Sequence, residues 1–252
     1  MMRVIDASLI PARRMAAETA AIAEQHRSGR SPDTLRVHVV HPSVVLGRNR
    51  PLSDVNLREC RNSNVAVARA VVDHPSFHLG SGILAWDLIA ERRRFGATPA
   101  VALWSVCEII AAGISRLGLP ARQRSPGTIE IAGGRICFAG GAVEGPTLVC
   151  EGILISACDI REVAATLTRA PDRITSLATF LGRTPLRQEV TGVMMPAFAD
   201  ALRADMVPGT LTSEERSLAD RLFAAGYGTD RFVVGEGTRR TRALSPRRHR
   251  TP

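Results

Sequence analysis

A chain of 252 residues with 45% hydrophobic content has room for one substantial core or two modest ones, and one large domain is the default expectation. All 33 basic residues are arginine, in keeping with the codon drift of a GC-rich genome; the missing lysine excludes Schiff bases, phosphate-loop lysines and lysine-dependent acyl adenylation. The net charge of +9 suggests an anionic partner, yet six arginines (Arg239, Arg240, Arg242, Arg247, Arg248, Arg250) crowd the C-terminal end, and removing these six leaves +3.

The first residues carry Arg3, Asp6, Pro11, Arg13 and Arg14 in a short apolar stretch, which is not the continuous apolar region of a signal peptide. Residues 12–26 follow Pro11, are alanine-rich and separate Met15 and Ile22 from the charged positions, which predicts a helix. Residues 35–46 alternate Val37 and Val39 with His38 and resume after Pro42, predicting two short strands around a turn. Further strands are expected at 64–69 and 81–89, with a charged exit at 91–94 and a polar loop between Asp73 and His78. A long buried helix is predicted over 99–117, from Pro99 to the stop at Gly118. Residues 128–132 and 135–139 flank Gly133-Gly134 as a hairpin. A strand at 149–156 and a helix at 159–167 come next. Helices at 196–204 and 212–225 close the chain, the second opened by a capping box of Thr212 and Glu215. Strands in the middle and helices at both ends make the expected fold class α+β, a mixed sheet flanked by helices over residues 1–234. Residues 235–252 have no apolar period and read as a disordered, solvated Arg-rich tail. Binding of that tail to nucleic acid or acidic lipid is the alternative, with no sequence readout of its own.

The five cysteines (Cys60, Cys107, Cys137, Cys150, Cys158) are odd in number and lack C-x-x-C spacing, so neither a disulfide framework nor a zinc ribbon is indicated and a cytoplasmic location is expected. Asp73, His74 and His78 match no metal-ligand spacing. No uncharged run approaches membrane-spanning length, and no membrane partner is expected.

Three stretches carry a resemblance to a known family. Residues 42–56 (PSVVLGRNRPLSDVN) look like a P-x-V-x-x-G-R-x-Q segment, and residues 65–86 lie without gaps on V-x-V-x-R-R-x-S-G-G-G-A-V and the glycine-leucine-tryptophan after it, through Arg69, Gly82, Leu84 and Trp86. Residues 127–141 are similar to an N-D-x-x-x-x-G-x-K-I-x-G hairpin through Gly133 and Ile136. In this order, over residues 15–232, the chain resembles the lipoate-protein ligase and octanoyltransferase family, which shares its fold with the catalytic domain of biotin protein ligases. The resemblance implies a narrow pocket between residues 65–86 and the 133–134 hairpin. It also implies lipoate or octanoate as a ligand with no other cofactor, and a lipoyl carrier domain or acyl carrier protein as partner. Ligand-binding positions carried over are Arg48, Asn49, Arg69, Gly82 and Arg135.

The departures fall on the chemistry. The family's triple glycine reads Asp73, His74, Pro75, which adds a charge that repels phosphate and removes a backbone donor. Ala70 replaces the second arginine, and Arg135 stands where the family lysine contacts the acyl carbonyl and the adenylate phosphate. An arginine there is a fixed charge for a carboxylate or other anion and cannot act as an acid or base. ATP-dependent adenylation is therefore not expected. Past Phe232 only the tail follows, where many of the family's ligases carry an accessory domain, which leans toward a transferase. Transferases of the family use a cysteine nucleophile. Cys137, two residues from Arg135, is the candidate, and a buried strand cysteine is the alternative. Three readings stay open: an acyltransferase moving a lipoyl or octanoyl group, a non-catalytic paralogue binding an acyl group or carrier protein, and an Arg-tailed nucleic-acid binder, the least supported because the globular part shows no basic patch with interleaved aromatics.

Overall fold

The structure, a computed structural model, describes residues 1–235, and the expected tail from residue 236 onward lies outside the described residues. In chain order the elements are β1 (Met2–Ile10), α1 (Ala12–Arg27), β2 (Thr34–Val40), β3 (Ser43–Leu46), α2 (Leu57–Asn62), β4 (Ala66–Arg69), β5 (Phe77–Leu79), β6 (Ile83–Glu91), α3 (Pro99–Ser115), β7 (Arg122–Ser125), β8 (Thr128–Ile131), β9 (Gly134–Glu144), β10 (Thr147–Ile155), α4 (Ile160–Thr166), α5 (Leu177–Leu181), α6 (Arg187–Leu202), β11 (Met206–Pro208), α7 (Ser213–Leu222) and α8 (Asp230–Val234).

Eight strands form a mixed sheet in the order β11-β1-β2-β6-β10-β9-β8-β7, parallel at β11-β1-β2 and antiparallel from β2 onward. A second sheet of three strands, β4-β3-β5, lies apart from it. The large sheet is covered on both faces, which explains why its central strands β6 and β10 are buried along almost their whole length. Against one face pack α3 and α6, through Val106, Ile110, Ile114, Met194 and Phe198 with Leu88, Trp86 and Leu148 of the sheet. Trp86 lies flat over Gly152, where an added Cβ would stand 2.5 Å from its ring. The opposite face carries α1 and the small sheet, and all of the chemistry described below lies on that side.

The α+β expectation holds, and most elements fall where the pattern puts them. Several differ. The N-terminal stretch is a nine-residue strand, β1, between β11 and β2. Helix α6 begins at Arg187, so Pro196 stands inside it and does not open it. The 128–139 hairpin turns on Ala132 and Gly133, both at positive φ, one residue earlier than read, and Ile136 is an extra residue that lets both it and Cys137 face the core. Phe77 and His78, read as the end of the polar loop, belong to a strand, β5 (Phe77–Leu79). The capping box of Thr212 and Glu215 is present at the start of α7.

Candidate functional site

A buried polar row crosses the large sheet on the side of α1. Strand register aligns Arg36 of β2, Asp87 of β6, Glu151 of β10 and Gly140 of β9. Arg36 is fully buried and donates to Asp87 (2.7 Å), to Glu18 (3.0 Å) and to Thr19 (2.8 Å), so α1 is tied to the sheet through charge. His38 Nε2 lies 2.9 Å from the same Asp87 carboxylate. Burial pushes the Asp87 carboxyl up, but Arg36 and His38 together hold it far below the ordinary carboxylate range. Among the described residues no cation contacts Glu151, and burial pushes its carboxyl up to about 7 against the pull of two N–H donors.

Those donors belong to the segment that stands where the family has its triple glycine. Val71 N–H and Val72 N–H donate to Glu151 Oε2 at 2.9 and 2.8 Å. The segment then presses onto two glycines. A Cβ at Gly140 would lie 2.0 Å from the Asp73 carbonyl oxygen, and one at Gly47 would lie 2.1 Å from that of His74. Asp73 Oδ1 accepts the N–H of Asn49 at 3.2 Å. His74 donates from Nδ1 to the Pro75 carbonyl (2.6 Å) and stacks on Phe77 at 4.3 Å, with burial pulling its pKa down to about 4.

Beside this segment runs an apolar slot. Phe77, Ile83, Phe138, Ile153 and Ile155 form its floor, and Val163, Leu167 and Ile174 its cover. Its internal space is only about 10 Å³, room for one water, so an acyl chain would have to part the cover. Three polar side chains line it, Ser76, His78 and Cys158. Thr166 Oγ1 spends its proton on the Glu162 carbonyl (2.8 Å), so the same oxygen accepts from His78 Nδ1–H at 2.9 Å. Burial lowers the His78 pKa, and among the described residues its Nε2 has no hydrogen-bond partner and lies 3.7 Å from Glu162.

The expected site residues do not converge on the slot. Arg69 is buried and holds backbone: it donates to the carbonyls of Gly47 (3.0 Å), Arg48 (3.0 Å), Arg50 (2.7 Å) and Val233 (2.6 Å), clamping the 47–50 turn to α8. Arg48 donates to the Val71 carbonyl at 3.1 Å, and Asn49 is exposed. Gly82, at φ +82°, makes the turn into β6 and accepts the N–H groups of Ser156 and Ala157, both at 2.9 Å. Arg135 does not line the slot. It lies in a separate open groove of about 780 Å³ with Arg122, Arg124 and Arg173, its Nε 3.6 Å from Glu130. Cys137 faces the core beneath α3 and is 0% exposed; burial and neighbouring Cys107 push its thiol up, the opposite of what a nucleophile next to Arg135 requires. Of the five cysteines only Cys158 is not buried. Sequence reasoning gave Cys158 no more weight than Cys150 and did not select Glu151; a carboxylate in an otherwise apolar strand was the available signal for the latter.

A family model, the lipoyl protein ligase A/B catalytic domain, matches residues 11–199. The chain belongs to that family. Among solved structures, this lipoyl ligase family member is similar to a Thermoplasma acidophilum protein with bound lipoic acid (TM-score 0.83, 20% identity, 92% of this chain and 99% of that one). It is similar to a lipoate-protein ligase A bound with ATP (TM-score 0.84, 20% identity, 92% and 98%). A third is the bipartite lipoate protein ligase studied with its E2 lipoyl domain from Thermoplasma acidophilum (TM-score 0.83, 20% identity, 92% and 96%). At this identity the likeness establishes the shared fold. No curated protein matches the chain by sequence. Among the described residues no helix is long and apolar enough to cross a membrane, and no group of three or more His, Cys, Asp and Glu is placed to hold a metal.

Proposed function

We propose that this lipoyl ligase family member holds a lipoyl or octanoyl group in the apolar slot and delivers it to, or presents it against, a lipoyl carrier domain without forming an adenylate. One observation carries the reading: Glu151 occupies the main-chain N–H groups of Val71 and Val72, and the Asp73 carboxylate sits on the Asn49 N–H. Two main-chain N–H groups just ahead of the triple-glycine positions are already bonded to Glu151, and the Asp73 carboxylate would repel a nucleotide phosphate there. The 71–76 segment does not fit the phosphates of ATP. The carrier partner is supported by the similar Thermoplasma ligase that was studied with its E2 lipoyl domain.

A non-catalytic paralogue is the second reading, favoured by the absence of an activated thiol: burial and Asp159 push the Cys158 thiol up. The test is the intact mass of a lipoyl domain after incubation with the protein and an octanoyl or lipoyl donor, with and without ATP. Acylation from a thioester donor without ATP supports transfer. Acylation from free lipoate only when ATP is supplied overturns the adenylate-free reading. Binding of an octanoyl thioester without acylation selects the non-catalytic form.

A further inference from the structure

The groove beside the slot has its own chemistry. Strand register places Arg122 of β7, Glu130 of β8 and Arg135 of β9 in one row, and Arg124, an unpaired residue where the β7 register shifts, also lines the groove. Arg173 completes the lining from the segment after α4. Its backbone sits at φ +56°, a costly conformation for a side-chain-bearing residue, and is fixed there because Arg135 N–H donates to the Arg173 carbonyl (2.7 Å) while Thr175 N–H donates to the Arg135 carbonyl (3.0 Å). Glu130 is the one carboxylate among the lining residues, and it pairs with Arg135. Among the described residues Arg122, Arg124 and Arg173 have no ion pair.

Slot and groove share a wall: Ile174 lines the slot and its neighbour Arg173 lines the groove. A volume of about 780 Å³ lies within the range of small-molecule sites, roughly 300–1,000 Å³, and converging guanidiniums fit phosphate oxygens bidentately. We propose that the arginine groove binds the phosphates of a nucleotide whose thioester-linked acyl chain lies in the slot, so that the donor is an acyl thioester of a phosphorylated nucleotide. This rests on the acyl-binding reading and explains how the chain handles an acyl group without a phosphate cradle for ATP. A thioester is already activated, and its phosphates lie on a different surface from the 71–76 segment.

Calorimetry on the full chain tests it with octanoyl-coenzyme A, octanoyl-pantetheine and coenzyme A, on wild type and on the triple variant Arg122→Ala, Arg124→Ala, Arg173→Ala, whose side chains are exposed. Octanoyl-coenzyme A is expected to bind at least about tenfold more tightly than octanoyl-pantetheine, with that advantage lost at high salt and in the triple variant while octanoyl-pantetheine binding is unchanged. Equal affinities for the two thioesters, or an advantage that survives the triple variant, would overturn the inference and leave the acyl-binding reading intact. Coenzyme A binding as tightly as its octanoyl thioester would overturn the shared site. No binding of either thioester would overturn the acyl-binding reading itself. Arginine-dependent binding of an octanoyl-loaded acyl carrier protein, with none of octanoyl-coenzyme A, would reassign the groove to a protein surface.

Discussion

Glu151 stands directly across the β6–β10 pair from Asp87, two buried carboxyl groups on one face, and their pKa values move in opposite directions. Asp87 takes the cation, Arg36; Glu151 takes the backbone of the 71–76 segment. In the unfolded chain Glu151 loses its proton near 4.5, in the folded protein near 7, so the folded state holds the extra proton in between and stability falls as pH rises through that window. His74, which with Glu151 lines a small cavity on that face, works against it: its pKa drops from 6.5 to about 4, so stability falls as pH falls through that range. The two partly offset in the wild type. Glu151→Gln keeps an acceptor oxygen for Val71 and Val72 and removes one of the two effects. It is expected to be more stable than wild type at about pH 8, on the order of 2 kcal/mol, with the gap closing toward about pH 5. Urea titrations at the two pH values measure it; a gap independent of pH would show that Glu151 does not titrate in this window.

Arg69 is predicted to act on stability and not on ligand. Its guanidinium reaches four carbonyls in two separate parts of the chain, and truncation would strand buried acceptors. Arg69→Ala should cost about 3 kcal/mol or more in denaturant unfolding and expose α8 to proteolysis. A stable Arg69→Ala that loses only acyl binding would restore the ligand-binding role implied by the family motif.

Alkylation separates the cysteines. Cys60, Cys107, Cys137 and Cys150 are buried, whereas Cys158 lines the slot with partial access. Iodoacetamide under native conditions should label Cys158 first and slowly, because burial and Asp159 hold its thiol protonated. Octanoyl-pantetheine, by filling the slot, should slow that labelling further. Native labelling of Cys137 ahead of Cys158 would contradict the packing beneath α3.

Element periods were legible because burial enforces them. Leu35 and Val37 and the helical spacing after Pro99 report faces turned to a core, whereas Val39 is only partly buried. The stretches that carry the family motifs do meet: β3 of residues 42–56 pairs with β4 of residues 65–86, and Phe77 packs on Phe138 of residues 127–141. What they left out was which polar atoms were already spent. Arg69 looks like a ligand residue until the four carbonyls around it are seen, and Cys137 looks close to Arg135 until Ile136, the extra residue, turns it inward. Pro196 misled because proline opens helices more often than it interrupts them, and here α6 packing on α3 carries the helix through. The slot and the arginine groove depend on the 173–175 segment crossing Arg135, a contact between positions almost forty apart that no local pattern encodes.

The seating of the 71–76 segment on Gly140 gives the last prediction. A methyl group there would meet the Asp73 carbonyl at 2.0 Å and His74 Cβ at 2.7 Å, and the nearer of these is backbone, which no rotamer change can move. Gly140→Ala should therefore lift the segment, break its bonds to Glu151 and lower stability by about 3 kcal/mol, the upper end of the usual cost of overpacking. Gly192→Ala in α6 is the matched control, since nothing lies within 4 Å of its added methyl; it is expected to be neutral or to stabilise by up to about 1 kcal/mol through helix propensity. Urea midpoints of the two variants, with limited proteolysis to detect cleavage within residues 71–76, make the comparison. A Gly140→Ala protein as stable as the control and equally protected would mean that the segment does not rest on the sheet, and the case against a phosphate cradle would lose its structural basis.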